Sequence, residues 1–147
     1  MSTIAESEWR SLCLGKHLGR GQNRDVYEFK WNPVYAVIKI ERGGDFFQNI
    51  MEYRVWKEVK GTEWEKWFAP CLEISANGHY LIQARVEFPE KKKYPKKLPK
   101  FFTDTKFKNY GLYQGRWVAC DYGFPSFMNG RRLGAMKKAN WWQETGR

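Results

Sequence analysis

Four residues in the second half of the chain have side chains suited to the transfer of a phosphate group. Asp104 offers a carboxylate that could accept a proton from a hydroxyl group. Asn109 and Asp121 offer oxygens of the kind that Mg²⁺ prefers, and Lys106 adds a positive charge to the same segment. These residue types are also common in polar loops. Taken alone, the segment 104–109 is therefore more typical of a solvated turn.

A glycine-rich turn in the first half of the chain is suited to binding phosphate. Gly19 and Gly21 lie between two strand-like runs, where backbone N–H groups can face an anion. The next apolar run carries a single lysine, Lys39, whose ammonium group could bind phosphate oxygens. These features together predict a phosphate site on neighbouring strands.

Lys39 needs an anionic partner, because the apolar residues around it predict a partly buried position. Glu52, on the helix expected after Gly43-Gly44, and Asp121 are the two candidates, and Glu58 is a rival to Glu52. The sequence leaves open whether Lys39 forms a structural ion pair, binds a nucleotide, or does both.

In their order along the chain, these residues resemble the motifs of the protein-kinase-like superfamily. The resemblance covers roughly residues 14–125 and implies a kinase-like amino-terminal lobe, an antiparallel β-sheet with one helix, that binds ATP and Mg²⁺. The matching segments are Gly19-x-Gly21-x-x-Arg24-x-Val26, Ala36-Val37-Ile38-Lys39, Glu52, Asp104-x-x-x-x-Asn109 and Asp121-Tyr122-Gly123.

The resemblance implies a role for each matching position. Lys39, held by Glu52, would grip the phosphates. Asp104 would accept the proton of the substrate hydroxyl, and Lys106 would contact the γ-phosphate. Mg²⁺ would be held by two oxygen ligands, Asn109 and Asp121. Further contacts to the nucleotide would come from the glycine-rich turn, the adjoining strands and an adenine-binding edge: Gly19, Gly21, Val26, Ala36, Gln83, Ala84 and Val86.

The chain also departs from the family pattern. Arg24 replaces the third glycine, and Phe102-Thr103 stands where the family has His-Arg. Only a short basic linker separates the adenine edge from Asp104, and few residues follow Gly123, with no Ala-Pro-Glu motif. The resemblance therefore implies a miniature member that lacks most of the carboxy-terminal helical lobe.

The elements that must position these residues are predicted to form a single α+β domain. Its parts are a lead-in over 1–13 anchored by Trp9, a sheet and helix over 14–89, a basic linker over 90–100, a hairpin carrying the catalytic-loop and metal-loop motifs over 101–125, and a basic aromatic tail over 126–147. Local patterns predict a helix of about four turns with apolar residues from Phe46 to Val59, a short helix over 62–68, hairpin turns at Asn77-Gly78 and Gln114-Gly115, and one helix in the tail.

Positive charge is concentrated in the second part of the chain. The net charge is +10, and residues 91–147 hold 14 Lys and Arg against 3 Asp and Glu. This distribution predicts a partner with an acidic face, and nucleic acid is the less favoured alternative. The three cysteines show no paired spacing, no apolar run is long enough to span a membrane, and the start of the chain does not resemble a signal peptide, so a cytoplasmic location is expected.

Two classes of function fit these observations. One is an ATP- and Mg²⁺-dependent kinase that phosphorylates serine or threonine on a protein or on itself. The other is a kinase-like binding module without activity, which inhibits a partner through its basic surface. Small size and a basic surface would suit a bacteriophage protein that binds a host protein in the host cytoplasm.

Overall fold

The computed structural model describes residues 6–43, 47–122 and 135–143. The chain forms two units, of which unit 1 comprises Met1–Arg54 and Pro70–Arg85, and unit 2 comprises Val55–Ala69 and Val86–Arg147. No helix in the described ranges is long and apolar enough to cross a membrane. The elements are α+β with mainly antiparallel sheet, which confirms the α+β part of the predicted fold class, while the kinase-like lobe stays a prediction.

Unit 1 is built on a five-stranded antiparallel sheet with the strand order β1-β2-β3-β5-β4. Helix α2 follows β3 in the chain and precedes β4, and it extends into the residues of unit 2. The elements are α1 (Glu6–Cys13), β1 (Leu14–Arg20), β2 (Arg24–Phe29), β3 (Ala36–Glu41), α2 (Gln48–Val59), β4 (Cys71–Ile74) and β5 (Tyr80–Ala84).

Strand β3 is buried along its whole length, so both of its faces are covered. Ile38 and Ile40 pack in one apolar cluster with Trp9 and Cys13 of helix α1. Lys39 points to the opposite face, because successive side chains of a strand alternate. Trp9 is buried as predicted, but the lead-in is helical from Glu6, since Trp9 and Cys13 lie one helical turn apart and can cover the sheet together.

Helix α2 is shorter than the predicted four turns and has 12 residues. Its first residue follows Phe47, which has a φ of 55°, and Phe46 lies outside the described residues. The short helix predicted over 62–68 is a single 3₁₀ turn, Glu65–Trp67, because Phe68 already has extended backbone dihedrals.

The hairpin between β4 and β5 has its predicted turn at Asn77-Gly78. Gly78 has a φ of +78°, and the Asn77 side chain accepts a hydrogen bond from the backbone N–H of His79 at 3.0 Å. A Cβ atom at Gly78 would lie 2.4 Å from Cγ1 of Ile50, so any other residue would have to displace Ile50 in addition to adopting a positive φ. This turn joins β4 to β5, in whose register Gln83 lies opposite Cys71.

Among the described residues, unit 2 has two antiparallel pairs of short strands, which lie in separate two-stranded sheets. The predicted hairpin of β7 and β8 turns at Gln114-Gly115, where both residues have positive φ angles of 51° and 77°. The strands of unit 2 are β6 (Lys97–Pro99), β7 (Tyr110–Tyr113), β8 (Arg116–Ala119) and β9 (Met136–Lys138), with 3₁₀ turns at Glu65–Trp67, Lys91–Lys93 and Phe107–Asn109.

The prediction of a helix in the tail is wrong for residues 135–143. Strand β9 pairs antiparallel with β6, so that Lys137 lies opposite Leu98. The basic linker is thus partly a strand, and its backbone groups obtain partners from the tail. The helical interpretation relied on the composition of the tail, which carries no information about an edge offered by a distant segment.

Candidate functional site

The centre of unit 1 is a buried ion pair between Lys39 on β3 and Glu52 on α2. The Lys39 Nζ atom lies 2.9 Å from Oε1 of Glu52. Glu52 is fully buried, and Lys39 is 6% exposed. The ion pair that the sequence favoured is therefore present, while its use in nucleotide binding stays a prediction. Glu58, the rival partner, is an exposed residue.

Arg24 is a second cation at Glu52, which sequence reasoning missed. Its guanidinium forms an ion pair with Oε2 of Glu52, and its other terminal nitrogen donates to Oδ1 of Asn49 at 3.0 Å. The Asn49 amide in turn donates to the backbone carbonyls of Lys39, at 3.1 Å, and His79, at 2.8 Å. A signal was available: Arg24 is two residues before Val26, which lies opposite Lys39, so strand alternation puts Arg24 on the same face.

Gln83 joins this cluster from β5. It was predicted to lie at the adenine edge, but its side chain is buried and its Nε2 atom donates to Oε1 of Glu52 at 3.2 Å. The backbone N–H groups of Ala84 and Arg85 donate to Pro70, at 2.8 Å, and Tyr35, at 2.7 Å. These two donors are engaged within unit 1, and Val86 belongs to unit 2.

The charges of the buried cluster balance. The cations of Arg24 and Lys39 both pair with the Glu52 carboxylate. The second carboxylate, Glu41, lies opposite Arg24 in the sheet and accepts a hydrogen bond from the backbone N–H of Asn49 at 2.6 Å. Two cations and two carboxylates are thus desolvated together, so each charge depends on the others for compensation. The cluster fixes α2 against β3 and holds the Lys39 ammonium in one place. We name Arg24, Lys39, Glu41, Asn49, Glu52 and Gln83 the ionic cluster.

The glycine-rich turn between β1 and β2 is closed by its own backbone. The N–H of Gly21 donates to the carbonyl of Arg24 at 2.8 Å, and the Arg42 side chain donates to the carbonyl of Gly21 at 2.6 Å. Neither Gly19 nor Gly21 has a positive φ, and a Cβ atom would fit at both positions. The backbone does not require glycine there, so any need for it would come from a molecule approaching the turn.

In unit 2, Asp104 and Asp121 are exposed and Asn109 is buried. Burial raises the pKa of the Tyr110 hydroxyl above its usual range, and the charges of Asp104, Cys120 and Asp121 raise it further. The N–H of Cys120, the residue before Asp121, donates to the carbonyl of Asn109 at 2.8 Å, so the segments that contain Asn109 and Asp121 lie side by side.

The tail supports the segment that contains Asp104. The Thr105 hydroxyl donates to the carbonyl of Asn140 at 2.6 Å. The N–H of Phe107 donates to the carbonyl of Trp142 at 3.0 Å, and the N–H of Trp142 donates to the carbonyl of Thr105 at 3.2 Å. The Lys106 ammonium lies 4.8 Å from the centre of the Trp142 ring. Sequence reasoning missed this support, because nothing local links residues 104–109 to the tail.

Aromatic packing anchors the chain just before Asp104. Phe102 is buried, with its ring centre 5.5 Å from that of Phe68 and 5.3 Å from that of Tyr110. Tyr122, which follows Asp121, donates its hydroxyl to the carbonyl of Ala69 at 2.7 Å. Phe102 and Tyr122 are thus anchors on either side, in sequence, of Asp104 and Asp121. Gly123, the last residue of the predicted metal-loop motif, lies outside the described residues.

Asn109 and Asp121 remain the predicted Mg²⁺ ligands. Within residues 6–43, 47–122 and 135–143, no group of three or more His, Cys, Asp or Glu side chains could hold a metal. An amide oxygen and one carboxylate nevertheless suit Mg²⁺, which commonly takes one or two protein ligands and completes its shell with phosphate and water.

Tyr94 gives unit 2 a dependence on alkaline pH. Its hydroxyl donates to the carbonyl of Tyr110 at 3.0 Å, and burial raises the pKa of Tyr94 to about 12. The unfolded value is about 10. The neutral Tyr94 hydroxyl therefore makes its full contribution to the free energy of unfolding below about pH 10, and this contribution is lost as the pH rises through about 12. We expect the unfolding free energy, measured in urea, to fall less between about pH 9 and about pH 11 in Tyr94→Phe than in the wild type.

The control for this effect is Tyr35→Phe, since Tyr35 is an exposed residue of unit 1. It should retain the pH dependence of the wild type. An unchanged fall in stability in Tyr94→Phe would contradict the assignment.

Comparison with models of known protein families gives no match, and no curated protein matches the chain. Two groups of residues carry chemistry that could define a function: the ionic cluster of unit 1, and Asp104, Asn109 and Asp121 in unit 2.

Proposed function

We propose that this chain is a miniature kinase-like protein, which binds ATP with Mg²⁺ and transfers the γ-phosphate to a protein serine or threonine or to itself. The observation that carries the proposal is the ion pair of 2.9 Å between Lys39 and Glu52. It joins the third strand of a five-stranded antiparallel sheet to the helix that follows that strand, as the kinase-like resemblance implies.

The proposed roles follow the chemistry of the side chains. Lys39 is held in place by Glu52 and binds phosphate oxygens of ATP. Asn109 and Asp121 hold Mg²⁺, which neutralises charge on the phosphates, and Asp104 accepts the proton of the attacking hydroxyl. The hydrogen bonds between residues 105–107 and the tail support this role of Asp104, because a proton acceptor must be held in position.

Binding of MgATP is the first test of the proposal. The informative variant is Lys39→Met, because Arg24 continues to compensate Glu52 and the fold can persist. We expect isothermal titration to show binding of MgATP by the wild type and at least a roughly tenfold loss of affinity in Lys39→Met, since each phosphate contact by a charged group is worth about 1.5–3 kcal/mol.

The matched control is Lys30→Met, which replaces an exposed lysine of unit 1 and should bind MgATP as the wild type does. Circular dichroism and thermal unfolding establish that each variant is folded. Absence of MgATP binding by the wild type, or equal affinity in Lys39→Met, would refute the proposal.

A second candidate function is a kinase-like binding module without activity. Two observations favour it. Arg24 forms an ion pair with Glu52 next to Lys39, and the Gly21 N–H donates its hydrogen bond to the carbonyl of Arg24 within the turn. In that case the protein binds an acidic partner through its lysines and shows no transfer from labelled ATP. Neutralising Lys91, Lys92 and Lys93 would then release the partner without any change in nucleotide binding.

A further inference from the structure

Unit 2 contains a cleft of about 380 Å³ that is separate from the residues assigned to phosphate transfer above, apart from Lys106. We name it the basic cleft. A volume of this size is sufficient for a nucleotide or a comparable group. Its lining includes three lysines and three aromatic residues: Phe88, Lys91, Tyr94, Lys106, Phe107 and Lys108.

The lysines give the basic cleft a uniform positive charge. None of the described residues that line it is acidic. Lys91 and Lys108 are exposed residues, and the Lys91 ammonium lies 5.4 Å from the centre of the Phe107 ring. Lys106 sits over the ring of Trp142 beside the cleft. The ammonium groups of Lys91 and Lys106 are thus near aromatic rings, where a ligand can meet a charge and a ring together.

The aromatic wall of the basic cleft is fixed on one side and open on the other. Tyr94 is buried, with its ring 4.9 Å from that of Phe107 in an edge-to-face contact, and Trp141 stacks on Phe107 at 5.6 Å. The Trp141 indole N–H donates to the carbonyl of Pro95 at 2.7 Å. Phe88, in contrast, is 57% exposed and offers a ring surface at the cleft.

We propose that the basic cleft binds single-stranded nucleic acid, with a base stacked on Phe88 and phosphates bound by Lys91, Lys106 and Lys108. An acidic protein segment would use the lysines but would not need an exposed ring beside them. A single strand uses both, because bases stack on aromatic side chains while a positive groove follows the backbone. Lysine binds phosphate as a point charge without base preference, so the binding is tolerant of sequence.

Further lysines extend the positive surface outside the basic cleft. They lie on the linker and on β9, where β6 and β9 pair Lys97 with Lys138. A single-stranded nucleic acid longer than the cleft would contact these lysines. The exposed ones are Lys92, Lys93, Lys96, Lys97, Lys100 and Lys138.

The test is fluorescence anisotropy with a labelled oligothymidylate and a labelled oligouridylate of about eight nucleotides. The wild type should bind both, with a log–log salt slope of about −2 or steeper, because the three cleft lysines each contribute about −0.7 and contacts to the lysines outside the cleft add to this. Phe88→Ala should weaken binding roughly tenfold, as loss of one stacking partner does. Lys108→Gln should weaken binding and make the slope less negative by about 0.7.

The chain offers a matched pair of control positions in unit 1. Trp31 is 65% exposed, and the Lys30 ammonium lies 5.6 Å from its ring centre, but neither residue lines the basic cleft. Trp31→Ala and Lys30→Gln should bind the oligonucleotides as the wild type does. Lys39→Met should also leave this binding unchanged, which distinguishes failure of this proposal from failure of ATP binding.

Three outcomes would overturn the proposal. The first is no binding of either oligonucleotide at low salt. The second is equal binding of an oligoglutamate peptide with no effect of Phe88→Ala, which would indicate an acidic protein as the partner. The third is loss of MgATP affinity in Phe88→Ala together with displacement of the oligonucleotide by MgATP, which would indicate a site for a mononucleotide.

Discussion

Replacing Glu52 by alanine is expected to destabilise the protein by about 3–5 kcal/mol. Glu52 is fully buried and accepts contacts from Lys39, Arg24 and Gln83. Its removal leaves two buried cations without their shared carboxylate, and an uncompensated buried charge is among the costliest changes in a folded protein. The measurement is the free energy of unfolding in urea at neutral pH.

The control lies on the same helix. Glu58 is exposed, and Glu58→Ala should change the free energy of unfolding by no more than about 0.5 kcal/mol. A loss in Glu52→Ala no larger than in Glu58→Ala would contradict the account of the ionic cluster. An apolar triple replacement, Arg24→Met with Lys39→Met and Glu52→Leu, should recover part of the lost stability. Neither buried cation then remains, while the Glu41 carboxylate still accepts the backbone N–H of Asn49 but has lost its neighbouring cations.

The same triple replacement separates structure from function. If the ionic cluster serves only to hold α2 on the sheet, the variant should keep every binding property of the wild type. If Lys39 binds phosphate as proposed, the variant should be folded but unable to bind MgATP. Stability and nucleotide affinity therefore answer different questions about the same three side chains.

The sequence predicted those features of the fold that depend on local patterns. The turns at Asn77-Gly78 and Gln114-Gly115 follow from residues that tolerate positive φ, and both are present. The partner of Lys39 could also be predicted, because a charge within a buried strand requires an opposite charge on the element that covers it. For the candidate site, local chemistry limited the partner of Lys39 to Glu52, Asp121 or Glu58, and the resemblance to the kinase-like pattern favoured Glu52, which is the partner found.

The features that the sequence did not predict depend on contacts between distant segments. Trp9 was recognised as an anchor, but the helix around it forms because Trp9 and Cys13 together meet Ile38 across the sheet. The strand in the tail exists because β6 offers it an edge, so its composition alone was misleading. The second cation at Glu52 was missed because Arg24 was interpreted only as a replacement for the third glycine of the motif. The face of the sheet on which its side chain lies was not considered.

Asp104→Asn is expected to lower the rate of phosphate transfer by about 10²- to 10⁴-fold, which is the usual contribution of a positioned general base. Asp104 is exposed, so the substitution should leave the free energy of unfolding within about 0.5 kcal/mol of the wild type. It retains the size of the side chain and removes the proton acceptor. The measurement is transfer from γ-labelled ATP to the protein itself and to a serine- and threonine-containing protein substrate.

A second measurement reports on Asp104 whether or not transfer occurs. After burial, the charge of Asp104 is the largest cause that raises the pKa of Tyr110. Removing that charge should lower the pKa of Tyr110, which the alkaline absorbance change of tyrosinate can follow. Glu90→Gln is the matched control, because Glu90 is an exposed carboxylate of unit 2 that pairs with Lys92 at 3.3 Å.

The two measurements together decide the role of Asp104. A lower pKa of Tyr110 with a lost transfer rate and unchanged MgATP affinity is expected for a proton acceptor. A lower pKa with an unchanged transfer rate would place Asp104 near Tyr110 but refute its catalytic role. Because the substitution alters neither Lys39 nor the proposed Mg²⁺ ligands, a loss of MgATP affinity would instead show that Asp104 acts in nucleotide binding.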